Sequence, residues 1–157
     1  MLGLLRSSRH LSCWHSVPAA FPAAAREAQA IVSRTYALYQ MAHADPVAVY
    51  DLFSSQRSQK YQGVEYVAGG RRLAGESESS RQAVAATHGV ICTYKGKLFC
   101  TYYSAVCGGR TTEGSQIFTD AVEILKPVTC DGCRDSEYHR WTASITKDDF
   151  LKAVQQK

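Results

Sequence analysis

No apolar run in the chain approaches the roughly 20 residues that a membrane-crossing helix needs, which argues against a polytopic membrane protein. Internal repeats and low-complexity tracts are also missing, and the 45% apolar content excludes a fully disordered chain. Charge is modest, with a net +4 that suits an anionic partner without selecting one. Lysines and arginines are not clustered with interleaved aromatics, so the pattern of a nucleic-acid-binding domain is missing. Gly108-Gly109 is not followed by a helix-opening Lys-Ser/Thr, so it is no nucleotide loop. Serine, histidine and aspartate show no ordering that suggests a hydrolase triad.

What remains is 157 residues of ordinary globular composition, enough for one domain with a core. From Pro22 to Met41, apolar residues recur at three-to-four spacing (Ala25, Ala28, Ile31, Val32, Tyr36, Leu38, Tyr39), which predicts a helix with Pro22 in its first turn. Asp45-Pro46 marks an exit. Residues Ser54 to Gln62 form a polar stretch, with Gln56, Gln59, Lys60 and Gln62 beside Tyr61, and Gly69-Gly70 reads as a break. A second helix is predicted over Glu76 to Thr87. A hairpin follows, with strands at Val90–Tyr94 and Leu98–Tyr103 around Lys95-Gly96-Lys97. Its second strand runs into the glycine-rich loop Cys107-Gly108-Gly109-Arg110-Thr111-Thr112. Trp141–Ile145 reads as a further strand and Lys147–Gln156 as a short helix. The fold class expected is α+β, a single domain with two helices and a sheet containing a hairpin.

Six cysteines stand at Cys13, Cys92, Cys100, Cys107, Cys130 and Cys133. Cys130-Asp131-Gly132-Cys133 is a CxxC, the spacing of half a zinc site or of a redox pair. The expected zinc ligands are Cys107, Cys130, Cys133 and His139, with Cys92 or Cys100 as the alternative fourth. A structural disulfide or free core thiols stay open as the other reading, and the redox reading lacks a strand–CxxC–helix context. Cys92 and Cys100 would face each other across a hairpin with a three-residue turn and be offset by a two-residue turn. Of Tyr102 and Tyr103, alternation along a strand exposes at most one as a face for a sugar. His10, His15, His43 and His88 share no spacing.

Residues 28–38, Ala-Gln-Ala-Ile-Val-Ser-Arg-Thr-Tyr-Ala-Leu, resemble the signature helix of the stage II sporulation protein D family (SpoIID), also called the amidase-enhancer LytB domain. That helix reads roughly W-P-x-E-A-x-K-A-Q-A-x-x-A-R-T-Y-A, and Phe21-Pro22 stand in place of its W-P. Residues 83–90 resemble A-V-x-x-T-x-G, and residues 103–111 resemble Y-H-S-T-S-G-G-x-T. The stretch around Gln59 and Tyr61-Gln62-Gly63 matches a further block. The blocks fall in order across residues 18 to 145. Residues 1–15 stand outside the pattern, 16–157 read as the SpoIID-like domain, and the chain looks cut at both ends relative to the family. Arg6, Ser7, Ser8, Arg9 and His10 interrupt the apolar run that a secretory signal would need.

The resemblance implies an extracytoplasmic domain acting on peptidoglycan, with glycan strands and a cell-wall amidase as partners. Sporulation members are lytic transglycosylases that cut peptide-stripped glycan. One carboxylic acid protonates the leaving oxygen, then takes the proton of the muramic acid 6-hydroxyl, closing a 1,6-anhydro ring. By the same resemblance Arg34 would support that acid or the sugar, and Gln29, Tyr103, Gly108, Gly109, Arg110 and Thr111 would contact glycan. Gln29 reads equally well as a hydrogen-bonder on its own helix face. The family's catalytic glutamate lies in an E-x-P segment eighteen residues before the helix arginine, and here that place holds Ser16, in Ser16-Val17-Pro18. A serine hydroxyl cannot act as the acid near neutral pH, and Glu27, the nearest helix carboxylate, is misplaced. This favours a non-catalytic glycan-binding or amidase-enhancing module over an active transglycosylase.

Overall fold

The computed structural model describes residues 21–48, 52–53, 58 and 64–155. Ser16-Val17-Pro18, Cys13, the Tyr61-Gln62-Gly63 block and all of the polar stretch except Ser58 lie outside the described residues. The fold is α+β. In order it comprises helix α1 (Ala23–Ala42), strands β1 (Glu65–Ala68) and β2 (Arg71–Ala74), helix α2 (Glu78–Ala86), strands β3 (Thr93–Tyr94) and β4 (Lys97–Leu98), and helix α3 (Lys147–Gln155). A 3₁₀ turn at Gly114–Gln116 lies in the long segment between β4 and α3.

α1 runs for 20 residues and buries a narrow stripe of Ala30, Ser33, Arg34, Thr35 and Ala37. The small side chains on this stripe let α2 and β4 pack directly against the helix. α2 begins at Ser77, whose hydroxyl accepts the Ser80 N–H at 3.1 Å, satisfying one of the orphan donors of the first turn. It contributes Ser80 and Ala83 to the same core. Because alanine and serine bury little apolar area, much of the interlock is hydrogen bonding to main chain. Thr101 Oγ1 donates to Val32 O at 2.8 Å, and the Cys92 N–H donates to Thr35 Oγ1 at 2.9 Å.

Those bonds explain why the second hairpin is shorter than the sequence suggests. The β3–β4 register is Thr93↔Leu98 and Tyr94↔Lys97, joined by Lys95-Gly96 with φ of 50° and 75°. Two successive left-handed residues make a two-residue turn whose twist matches the strands. Beyond this short ladder, Cys92 on one side and Thr101 on the other bond to α1, and Phe99, Cys100 and Thr101 are buried. Cys92 and Cys100 are therefore offset, and both are free thiols.

The β1–β2 hairpin is an addition to the sequence reading. Its register is Glu65↔Ala74 to Ala68↔Arg71, and the supposed break at Gly69-Gly70 is its turn, with φ of 56° and 72°. The strand expected at Trp141–Ile145 does not form. No partner pairs with it among the described residues, and Trp141 and Ile145 are exposed. α3 does form, capped by Thr146 Oγ1, which accepts the Asp149 N–H at 3.2 Å; its Phe150, Leu151 and Val154 all face solvent.

Candidate functional site

Arg34, for which the resemblance implied a supporting role in catalysis or sugar binding, is held by main-chain acceptors. The side chain lies inside the α1–α2 interface, and the residue is 9% exposed. Its guanidinium donates to Thr87 O at 2.8 Å, Val90 O at 2.7 Å, Thr87 Oγ1 at 3.3 Å and Val84 O at 3.5 Å. These acceptors lie at and just past the C-terminal end of α2, where carbonyls lack helical partners and the helix dipole is negative. Arg34 thus closes α2 and fixes the chain leaving it. Gln29 donates to Ser33 Oγ at 2.9 Å, one turn along its own helix. Glu27 is half-buried on α1.

The glycine-rich loop is built differently. Gly108 and Gly109 have φ of 65° and 103°, conformations that side chains disfavour. A Cβ at Gly109 would meet His139 Cε1 at 3.6 Å, an ordinary contact, so backbone conformation rather than space requires glycine there. The loop is pinned to a second segment by the Arg110↔Thr129 bridge, Thr111 N–H to Val128 O at 2.9 Å, and Cys130 N–H to Gly109 O at 3.0 Å. Thr111 Oγ1 accepts the Val128 N–H at 2.8 Å, so Thr111 is committed to this bridge. Arg110 is exposed, and Tyr103 is 43% exposed.

That pinning gathers sulfur. Cys107 Sγ lies 3.4 Å from Cys133 Sγ, and Cys133 Sγ lies 3.6 Å from His139 Nδ1. Cys107 also hydrogen-bonds Cys130. The Cys133 thiol is pulled down to about 6, chiefly by the His139 hydrogen bond, then by the Cys107 main-chain N–H and the Cys107 thiol. In its partner Cys107, a hydrogen bond from the Gly109 N–H pulls downward. The contacts with Cys133 and Cys130 and partial burial push the other way, and the net direction is up. Cys133 is thus the readier of the two sulfurs to ionise. Among the described residues no group of three or more His, Cys, Asp or Glu side chains is drawn together as a finished metal cage. What exists is a chain of contacts, Cys130 to Cys107 to Cys133 to His139, made of the four expected zinc ligands.

Beside this chain opens a cavity of about 650 Å³ lined by Gly109, Asp131, Arg134, Ser136, His139 and Arg140. Arg134 pairs with Asp131 at 2.8 Å, and both are solvent-exposed. Sequence reading did not single out Arg134, Ser136 or Arg140. Their signal was position, since all follow the CxxC and two bracket its histidine.

A separate cluster lies against α1. Tyr102 stacks on Phe118, with ring centroids 3.5 Å apart and planes within 2°, and its hydroxyl donates to Asp120 Oδ1. Tyr39 also hydrogen-bonds Asp120, and burial is the leading cause raising the Tyr39 and Tyr102 hydroxyls. Burial likewise raises the Cys100 thiol, which Gln40 approaches at 3.7 Å.

The stage II sporulation protein (SpoIID) family model matches residues 14–94. An uncharacterised protein of Brachyspira hyodysenteriae is 32% identical over 136 residues, which cover 87% of this chain and 34% of that protein. The chain therefore spans about a third of the length of that relative. No solved structure matches it. With more than half of its residues matched, and with the helix, α2 block and hairpin in family order, this chain belongs to the SpoIID family, a sporulation and cell-wall related group.

Proposed function

We propose that the chain is an extracytoplasmic cell-wall module that binds peptide-stripped glycan strands at the cavity beside Gly108-Gly109, without cutting them. The observation that carries the reading is the lining of that cavity. Arg134 and Arg140 stand with His139, Ser136 and the Gly109 main chain around a space large enough for a sugar unit, against a single carboxylate, Asp131. Removing the stem peptide from muramic acid leaves a lactyl carboxylate, the group that guanidinium forks bind best. The polar lining and the net +4 of the chain suit the same anionic polymer.

The non-cutting half of the proposal rests on Ser16, which occupies the position where the family pattern has its acid. At the cavity the single carboxylate, Asp131, is paired with Arg134, and Glu27 sits on α1. The family's transglycosylase chemistry is the alternative, and an amidase remains the proposed protein partner. The test is pull-down on peptide-stripped glycan, together with mass spectrometry of the glycan ends. The unaltered chain should bind and release no 1,6-anhydromuramic ends, and Arg140→Gln should weaken binding several-fold. Anhydro ends produced by the unaltered chain would establish catalysis; absence of binding would reject the site.

A further inference from the structure

Residues 103–146 contain no helix longer than the 3₁₀ turn and no paired strand beyond one bridge, and none of their side chains is fully buried. An irregular segment of this length without a core needs another source of order. It folds back on itself where the glycine-rich loop meets the CxxC segment, and there two cysteine side chains touch. The sulfur 3.4 Å from Cys133 Sγ is that of Cys107, 26 residues away along the chain, so the contact joins two segments.

We propose that Cys107 and Cys133 form a redox-reversible pair whose disulfide staples the glycine-rich loop to the CxxC segment. Bonded sulfurs stand about 2.05 Å apart, so the pair closes by about 1.4 Å, a movement that side-chain torsions supply. Glycines flank the contact, Gly108 after Cys107 and Gly132 before Cys133, so the backbone yields readily on both sides. Both cysteines are half-exposed and open to a soluble reagent, whereas Cys100 is buried. Spacing alone points to a bond within the CxxC. The fold instead places Cys107 against Cys130 and Cys133 alike, and the 3.4 Å contact selects Cys133 as its partner.

The oxidant is a low-molecular-weight disulfide. One cysteine sulfur attacks it, forming a mixed disulfide and releasing one small thiol. The second cysteine sulfur attacks the first, closing the Cys107–Cys133 bond and releasing the other small thiol. Both cysteine protons leave with the released thiols, so the pair loses two electrons and the reagent gains two. In the extracytoplasmic setting proposed above, such a bond persists. Gly109 lies on one stapled segment and Asp131, Ser136 and His139 on the other, so the bond fixes two walls of the cavity against each other. It forms whatever ligand that cavity takes.

The full chain, reduced and freed of reductant, is equilibrated with mixtures of reduced and oxidised glutathione. It is then quenched by alkylation, and its bonds are mapped by peptide mass spectrometry without reduction. The expected results are one disulfide per chain with Cys107–Cys133 as the major link, Cys92 and Cys100 alkylated, and full reversal by dithiothreitol. Trypsin cleavage after the exposed Arg110 and Arg134 should slow several-fold in the oxidised form. Cys107→Ser should lose both the link and the protection, and Cys92→Ser should keep both. A major link at any other pair, Cys130–Cys133 included, overturns the proposal. So do glutathione adducts without an internal bond, or oxidation that leaves cleavage unchanged. The mapping uses the unaltered chain, so misfolding of a variant leaves the answer intact.

Discussion

Two parts of this molecule use polar side chains in opposite ways. In the α1–α2 region, Arg34, Thr35, Thr87 and Thr101 turn inward and spend their hydrogen bonds on main chain. In the loop region from 103 to 140, Cys107, Cys133, His139 and the arginines lie at or near the surface and face one another or an open cavity. The first arrangement fixes where elements sit. The second leaves donors and acceptors uncommitted by secondary structure, which is the condition for binding something. Polar residues in a family motif thus carry different meanings depending on which region holds them.

The largest expected break in that contrast comes from Arg34→Ala. It strips several buried carbonyls of their donor at once, and leaving buried groups unpaired costs about 1–3 kcal/mol each. Urea unfolding followed by circular dichroism should show a loss of about 3 kcal/mol, and Arg34→Lys should restore little, since an ammonium cannot span acceptors on both Thr87 and Val90. A variant as stable as the parent would return Arg34 to the list of ligand contacts.

A middle-sized effect separates the two regions by thiol chemistry. In zinc-free protein at pH 7, Cys133 lies above its midpoint of about 6 and is thiolate, whereas burial raises the Cys100 thiol and keeps it protonated. Alkylation mapped by peptide mass spectrometry should modify Cys133 at least about tenfold faster than Cys100. The sign follows from the direction of each shift: lowering the pH through 6 should erase the advantage of Cys133. Equal rates at pH 7 would remove the electrostatic distinction between the regions.

The smallest effect tests the turn that joins them. Lys95 holds φ 50° at the first position of a two-residue hairpin turn. Asparagine tolerates that conformation better, so Lys95→Asn should stabilise by a few tenths of a kcal/mol in the same unfolding assay, after the exposed Lys95–Glu123 pair at 3.6 Å is lost. Destabilisation would show that the ion pair matters more than the turn.

Local rules carried much of the fold. The spacing of apolar residues located α1 almost to the residue, and the expected α2 at Glu76 to Thr87 begins two residues before the observed helix because Ser77, not Glu76, caps it. The hairpin at Gly69-Gly70 was equally legible, since a glycine pair between Tyr66-Val67 and Leu73 is a turn signal; it was read as a break because its strands are short and mostly exposed. Trp141–Ile145 failed for a non-local reason: a strand needs a neighbour, and β-like composition cannot reveal that none pairs with it among the described residues. The nearness of Cys107, Cys133 and His139 was partly legible, since the CxxC and a histidine six residues on lie within one short segment. The destination of Arg34 was not, because its acceptors lie 50 to 56 residues further along the chain.

The burial of Arg34 changes what a family signature is able to report. In this chain the arginine of the recognisable helix closes a neighbouring helix, a folding role that needs no catalytic acid. A match to that helix therefore reports how two helices pack, and does not by itself report a catalytic acid.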